Sequence, residues 1–191
     1  MTEPIRMLHF ADTHIGMENY GRTDPDTGLS SRVMDFLHRM DEMVEYALAN
    51  DVDLVVFAGD AFKSRNPSPT FQREFAYRIQ DLTAHAPVVL LVGNHDLPMI
   101  EKRASSIEIY QTLNVPNTVL GRDYEVHKIA TKRGEVLVAT APYPVRSLLR
   151  DADTPHIGTI AEIDQALAHQ LDRTLRKLAD EVSGSDLPRV L

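Results

Sequence analysis

The chain has 191 residues, no cysteine and a formal net charge of −8. That length allows one domain with a sizeable core, and 43% apolar with 25% charged residues is a globular balance. Disulfides and thiolate metal sites are excluded, no apolar run approaches the roughly 20 residues of a membrane span, and nothing resembles a signal peptide. These features fit the cytoplasm and no membrane partner. The acidity alone argues against nucleic acid, whose partners present basic surfaces. A carboxylate-rich metal site would weaken that argument, because bound cations reverse the local charge.

A first strand is expected over about Arg6 to Ala11, with His9 inside it as a core residue or one supporting the ligands from behind, running into Asp12-Thr13-His14. Ile15 to Leu29 is rich in Gly, Asp, Asn and Thr and reads as a loop over the site. Ser30 or Ser31 caps a helix in which Val33, Phe36, Leu37, Met40, Val44, Ala47 and Leu48 form one apolar face. Val52 to Gly59 is a continuous apolar run, the mark of a strand covered on both faces, and it ends in Gly59-Asp60. A polar loop follows, then Ser68-Pro69, which places a cap before a proline in the first helical turn. Phe71, Phe75, Ile79 and Leu82 make that helix's buried face, and Val88 to Val92 is a third strand leading to Gly93-Asn94-His95-Asp96.

Beyond it a short helix is expected over Arg103 to Leu113, then a return to the sheet over Asn114 to Gly121. Tyr124 to Thr131 and Glu135 to Ala141 flank Lys132-Arg133-Gly134 as a hairpin, broken by Pro142-Tyr143-Pro144. Ile160 to Val182 carries the repeat of a long amphipathic helix ending at Gly184. Pro188 to Leu191 reads as the start of another strand, so residues 1–191 are expected to be the N-terminal part of one longer domain.

Three strand-like runs thus each deliver candidate ligands at their carboxyl ends, where α/β proteins bind ligands. Asp12 and His14 are two apart, and in extended chain both would face one cation. Asp60 offers two oxygens and can bridge two cations, and Asn94 offers a neutral carbonyl oxygen. This mixed set suits manganese, iron or zinc better than calcium. Two metals roughly 3.5–4 Å apart could clamp a phosphate and activate water. His95, beside a ligand but pointing elsewhere, could contact the phosphate or protonate the leaving oxygen. Each motif has a plain alternative: Asp-x-His is common, Gly-Asp after a strand is usually a turn, and Gly-Asn-His-Asp can be an Asx-capped turn. Their coincidence on three strands lifts the metal reading.

Asp12-x-His14, Gly59-Asp60 and Gly93-Asn94-His95-Asp96, in this order, resemble the calcineurin-like metallophosphoesterase superfamily. Phe10 to Gly16, Arg32-x-x-Asp35-Phe36, Phe57 to Phe62, Asn66-Pro67-Ser68-Pro69 and the Pro142-Tyr143-Pro144 turn narrow the resemblance to SbcD-type DNA double-strand-break-repair nucleases. The resemblance implies an α/β fold: a two-sheet β-sandwich flanked by helices, here truncated at its C-terminal side. It implies two manganese ions and DNA exonuclease and endonuclease activity. Asp12 and His14 would hold the first metal, Asp60 both, Asn94 the second, with His95 as the catalytic histidine. An SMC-like ATPase partner of SbcC type and a homodimer built through helices near the site are implied too.

Two features depart from that pattern. Lys63 stands where relatives often place histidine or aspartate, and it could contact phosphate as a point charge or simply be solvated. The later strand-end histidine and His-x-His pair of the family have no counterpart, His156 being only a remote stand-in. The isolated chain is therefore expected to bind metal weakly and to be inactive or nearly so. Arg65 and Asn66, in the loop after Asp60, are placed to meet a substrate backbone; Lys132-Arg133 and Lys102-Arg103 could touch phosphates, but basic hairpin tips are more often just solvated. Two rival functions are a phosphoesterase for nucleotides, lipids or phosphoproteins, and a non-catalytic scaffold of this fold that binds proteins.

Overall fold

The computed structural model describes residues 3–98, 103–145, 149 and 159–191. By its internal contacts the chain divides into two compact units, residues 1–120 with 130–134, and residues 121–129 with 135–191.

The first unit alternates strand and helix. β1 (Met7–Phe10), β2 (Leu54–Phe57), β3 (Val88–Leu91) and β4 (Thr118–Gly121) form a sheet in that order. β1 pairs parallel with β2, Phe10 opposite Phe57, and β2 parallel with β3, Phe57 opposite Leu90. Parallel neighbours need a crossover, and helices α1 (Ser31–Ala49) and α2 (Pro69–His85) supply it. This connectivity puts the carboxyl ends of β1, β2 and β3 along one edge of the sheet.

The local reasons are those legible in the residues. Ser30 is the N-cap of α1, its hydroxyl accepting from the Arg32 N–H, and Ser68 caps α2 in the same way for Phe71, ahead of Pro69. Val33, Leu37, Met40, Val44 and Ala47 are the buried stripe of α1; Leu48 is 47% exposed and falls off it. Phe75, Ile79 and Leu82 bury the facing side of α2. Phe75 joins both helices' core to the sheet, its ring 5.3 Å from that of Phe57 and 5.4 Å from that of Phe62. Burial of each such side chain is worth about 1.5–3 kcal/mol.

Three expectations for this unit change. His9 is exposed rather than in the core: β1 alternates, turning Leu8 and Phe10 inward and Met7 and His9 outward. The helix expected over Arg103 to Leu113 is two short pieces, a 3-10 turn at Ser106–Glu108 and α3 (Ile109–Thr112), closed by Asn114 in the left-handed region at φ 51°. Lys132 and Arg133 are not a free basic tip. The Arg133 guanidinium donates to Asp53 at 2.7 Å, Asp51 at 2.8 Å and Glu3 at 2.9 Å, and Lys132 reaches Asp51 at 2.5 Å. Asp53 is fully buried, so its charge requires that partner.

The second unit holds the sheet β5 (Glu125–Thr131), β6 (Gly134–Thr140) and β7 (Arg189–Val190), in that order, and α4 (Ile160–Glu181). β7 pairs parallel with β6, Leu137 opposite Arg189, so the strand read from Pro188 onward is present. Thr159 and Glu162 form a reciprocal capping box at the start of α4. The apolar side of α4 is half-buried, with Leu178 its one buried residue. With a parallel sheet, a second sheet and flanking helices, the fold is α/β.

Candidate metal centre

Each of the three strand ends turns sharply, and two of them do so by the same device. Asp12, His14 and Asp60 all lie in the left-handed region, at φ 58°, 39° and 61°. Non-glycine residues adopt this conformation rarely, and such strain gathers at functional sites. Surrounding hydrogen bonds hold it in place. Asp12 N–H donates to Gly59 O at 3.0 Å, His14 N–H to Asp60 O at 3.1 Å and Ile15 N–H to Ala61 O at 3.0 Å, so the loops after β1 and β2 run on side by side.

The turns converge the side chains. Ring nitrogens of His14 and His95 and a carboxylate oxygen of Asp60 lie within 4.8 Å of one another, the one such group of three or more His, Asp or Glu among the described residues. Asp12 joins through His14, its Oδ1 3.4 Å from Nε2. The two side chains lie side by side, but through left-handed turns and not along extended chain as expected from their spacing. His95 also differs from expectation: it converges on the ligand set instead of facing away. Its N–H donates to Asp60 Oδ1 at 2.8 Å, and its ring meets that of His14 edge-on at 4.8 Å. Asn94 is half-buried in the same turn, immediately before His95.

Close approach of backbone makes this packing possible. A Cβ on Gly59 would come within 2.7 Å of the Gly93 backbone, and one on Gly93 would overlap the Asp60 carboxylate. The two glycines let the β2 and β3 ends touch.

Asp96 holds them there, a role the residue pattern did not assign. It is 1% exposed, and its carboxylate accepts from the N–H groups of Asp60 at 2.8 Å, Ala61 at 3.0 Å and Gly93 at 3.0 Å. The Gly93 bond reaches back three residues, as the acidic residue of a capping box does, and not forward as in the Asx-capped turn. Burial pushes the Asp96 carboxyl above the ordinary carboxylate value; the three N–H groups pull it back, and the nearby Asp60 charge raises it further. The signal available in sequence was an acidic residue three places after Gly93, spaced to reach back to its N–H.

The loop after β2 adds two further ties. Lys63 O lies 3.2 Å from His95 Nδ1, and Arg65 Nε donates to Leu97 O at 2.8 Å. A carbonyl can only accept, so Nδ1 carries the proton of the neutral ring and Nε2 is left free. Lys63, Arg65 and Asn66 are exposed along this loop, and Lys63, Ser64, Arg65, Asn66, His95 and Arg103 share a recess of about 470 Å³. Lys102 and His156 lie outside the described residues. His127 pairs with Glu125 and Thr140 within its hairpin.

The donors fit a divalent cation. His14 Nδ1 is buried with no hydrogen-bond partner, an orphan that a metal-oriented cluster would explain. Oxygen and imidazole donors at this spacing, held by an external carboxylate, have the chemistry of a transition-metal site.

Imidazole and carboxylate donors gathered on the carboxyl edge of a parallel sheet are what this arrangement offers a divalent cation. The chain belongs to the calcineurin-like phosphoesterase family, whose sequence model matches residues 5–178. It is similar to the DNA double-strand break repair protein Mre11 of Thermoplasma acidophilum, 35% identical over 92 residues covering 48% of this chain and 23% of that protein. It is similar to the SbcD component of the SbcCD nuclease of Bacillus subtilis, 32% identical over 96 residues (49% and 22%), and to that of Rhodobacter capsulatus, 27% identical over 190 residues (92% and 44%). The chain spans about a quarter or less of the length of the first Mre11 relatives it matches.

Proposed function

We propose that the protein is a metal-dependent nuclease subunit that hydrolyses DNA phosphodiester bonds in double-strand-break repair. The observation that carries this is the convergence of His14, Asp60 and His95 within 4.8 Å at three adjacent strand ends. The relatives named for double-strand-break repair and for the SbcCD nuclease support the substrate class.

In this reading Asp12 and His14 hold one cation, Asp60 bridges to a second, and Asn94 serves the second. Manganese fits the mixed oxygen and imidazole donors. Bound metal supplies charge neutralisation of the phosphate and lowers the pKa of attacking water. The chain's own residues do the rest. Asp60 is oriented by its backbone N–H bond to Asp96, and its Oδ1 is fixed by the His95 N–H. His95, with Nδ1–H committed to Lys63 O, presents Nε2 to the phosphate and can hold the proton that the leaving oxygen takes. Lys63, Arg65 and Asn66 face the substrate backbone. The four described ligands are few for two cations, so the 191-residue chain binds metal weakly and is inactive or nearly so, as part of one larger nuclease domain.

The names of the SbcCD relatives support a partner of SbcC type; an SMC-like ATPase as that partner and a cytoplasmic location belong to the same reading. A homodimer is supported by an apolar groove of about 360 Å³ between α2 and α3, where Ile109 and Leu113 are 49% and 69% exposed. Sedimentation velocity of the chain and of Leu113→Glu tests it.

The decisive experiment is calorimetric titration of the chain with Mn²⁺ beside a cleavage assay on labelled duplex DNA. Weak binding, lost in Asp60→Ala, is expected. Robust cleavage by the 191-residue chain, abolished by Asp60→Ala, overturns the inactivity. Phosphate release from small monoesters with no cutting of DNA replaces the nuclease reading.

A further inference from the structure

The backbone of residues 60–63, just after β2, ties the three strand ends to one another. Asp60 O accepts from the His14 N–H at 3.1 Å, and Ala61 O from the Ile15 N–H and the Thr13 hydroxyl, each at 3.0 Å. The Asp60 and Ala61 N–H groups donate to the Asp96 carboxylate. Phe62 bridges Ile15, and the Lys63 N–H donates to Ile15 O at 3.0 Å. Lys63 O then meets His95 Nδ1 at 3.2 Å. The side chains of this segment anchor it unequally. Lys63 is exposed and Ala61 contributes a buried methyl. Phe62 is 2% exposed, and its ring stacks edge-on against that of Phe75 at 5.4 Å. The large buried anchor therefore stands one residue before the carbonyl that holds the His95 ring.

That carbonyl decides which ring nitrogen is free. A neutral imidazole carries its proton on either nitrogen, and an acceptor at Nδ1 selects the Nδ1–H form and leaves Nε2 as the lone pair. The other contacts of His95 do not make this choice: its N–H to Asp60 Oδ1 fixes the backbone, and the His14 ring meets it edge-on. The contact at 3.2 Å is at the long end of the hydrogen-bond range, so a shift of about 0.4 Å in the Lys63 backbone ends it. We propose that Phe62 is a positioning residue for His95: its buried ring holds the Lys63 carbonyl where it selects the Nδ1–H tautomer and leaves Nε2 for the substrate. This deepens the nuclease reading and rests on it for what Nε2 meets. The tautomer itself needs neither metal nor DNA.

The test is ¹⁵N NMR of the histidine-labelled chain in EDTA at pH 8.5, above the usual histidine range, with His95→Gln assigning the signals. Wild type is expected to show a protonated Nδ1 and an unprotonated Nε2 at His95. Phe62→Leu is expected to draw the two ¹⁵N shifts together, as the tautomers mix, and Phe62→Ala to do so further. Leu37→Ala, which truncates an equally buried side chain on α1, is expected to lower the melting temperature at least as much as Phe62→Leu and to leave the His95 signals unchanged. A wild-type ring protonated on Nε2, or wild-type signals in Phe62→Leu, overturns the positioning role and leaves the nuclease reading standing. Equal mixing in Phe62→Leu and Leu37→Ala overturns it too, because general loosening of the core would then suffice. Mn²⁺ uptake is measured separately: none by the wild-type chain, with the tautomer pattern as expected, removes the nuclease reading and keeps the hold of Phe62 on His95.

Discussion

Asp96→Asn asks whether one buried carboxylate holds the two sides of the site together. Asp96 Oδ2 accepts from Asp60 N–H at 2.8 Å and Gly93 N–H at 3.0 Å, and Oδ1 from Ala61 N–H at 3.0 Å. Asparagine keeps one acceptor oxygen. Placed at the Oδ2 position, it preserves the first two bonds and turns its NH₂ toward the Ala61 N–H. That leaves one buried donor unpaired, costing about 1–3 kcal/mol, and converts two charge-assisted bonds into neutral ones, costing about 1 kcal/mol each. Loss of the charge works the other way, relieving the burial that raises the Asp96 pKa and its repulsion with Asp60. The net is a loss of about 2–3 kcal/mol. For a chain of this size each kcal/mol moves Tm by about 2–4 °C, so thermal melts at pH 7 in EDTA should shift down by about 4–12 °C. Mn²⁺ affinity should fall modestly, because the bond from the Asp60 N–H survives only as a neutral one. A melt within about 2 °C of wild type would refute the reasoning, since the three N–H groups would then have found other acceptors at no cost.

Three further outcomes follow from the same geometry. Gly93→Ala forces a Cβ into the Asp60 carboxylate and should lower Mn²⁺ affinity about tenfold or more by calorimetry, as loss of an orienting contact does; a wild-type isotherm would mean that Asp60 is not a ligand. Arg133→Ala strips buried Asp53 of its guanidinium, leaving the Arg6 N–H at 2.8 Å, and should cost about 3 kcal/mol by denaturant melts while oligonucleotide affinity stays unchanged. Lys132, then Arg133, hold the Asp51 carboxyl below its ordinary value. Its folded pKa is thus below its unfolded one, so its stabilising share is complete at neutral pH and is lost as pH falls below about 4. Asp51→Asn should therefore narrow the gap between melts at pH 7 and pH 3.

Strands and helices are readable wherever burial and period agree. Ser68-Pro69 names the start of α2 to the residue, and the run Val52 to Gly59 contains β2 with two residues to spare at each end, because each signal is local. His9 reads wrongly because an apolar run suggests a strand covered on both sides, whereas β1 turns alternate residues outward. The site's members are legible from three strand ends, but their geometry is not. Spacing says that Asp12 and His14 share a side; only the fold shows left-handed backbone at both, stabilised by bonds to Gly59 and Asp60, 47 and 46 residues away. Asp96 escapes for the same reason. Its work is done on Asp60 and Ala61, residues that no local pattern connects to it.

Net charge is the weakest guide, and the reason is distribution. A value of −8 weighs every charge equally, but charges that pair with each other present little field to a partner. Arg78 lies between Asp41 and Glu74, and Arg133 among Asp51, Asp53 and Glu3. These cations consolidate the first unit and are lost to any ligand. Asp12, His14, Asp60 and His95 are gathered where bound cations would reverse their sign. Among the described residues Lys63 and Arg103 stand outside such pairs, on a recess whose described walls carry no carboxylate. A net charge of −8 therefore does not set the sign of the field beside the cluster.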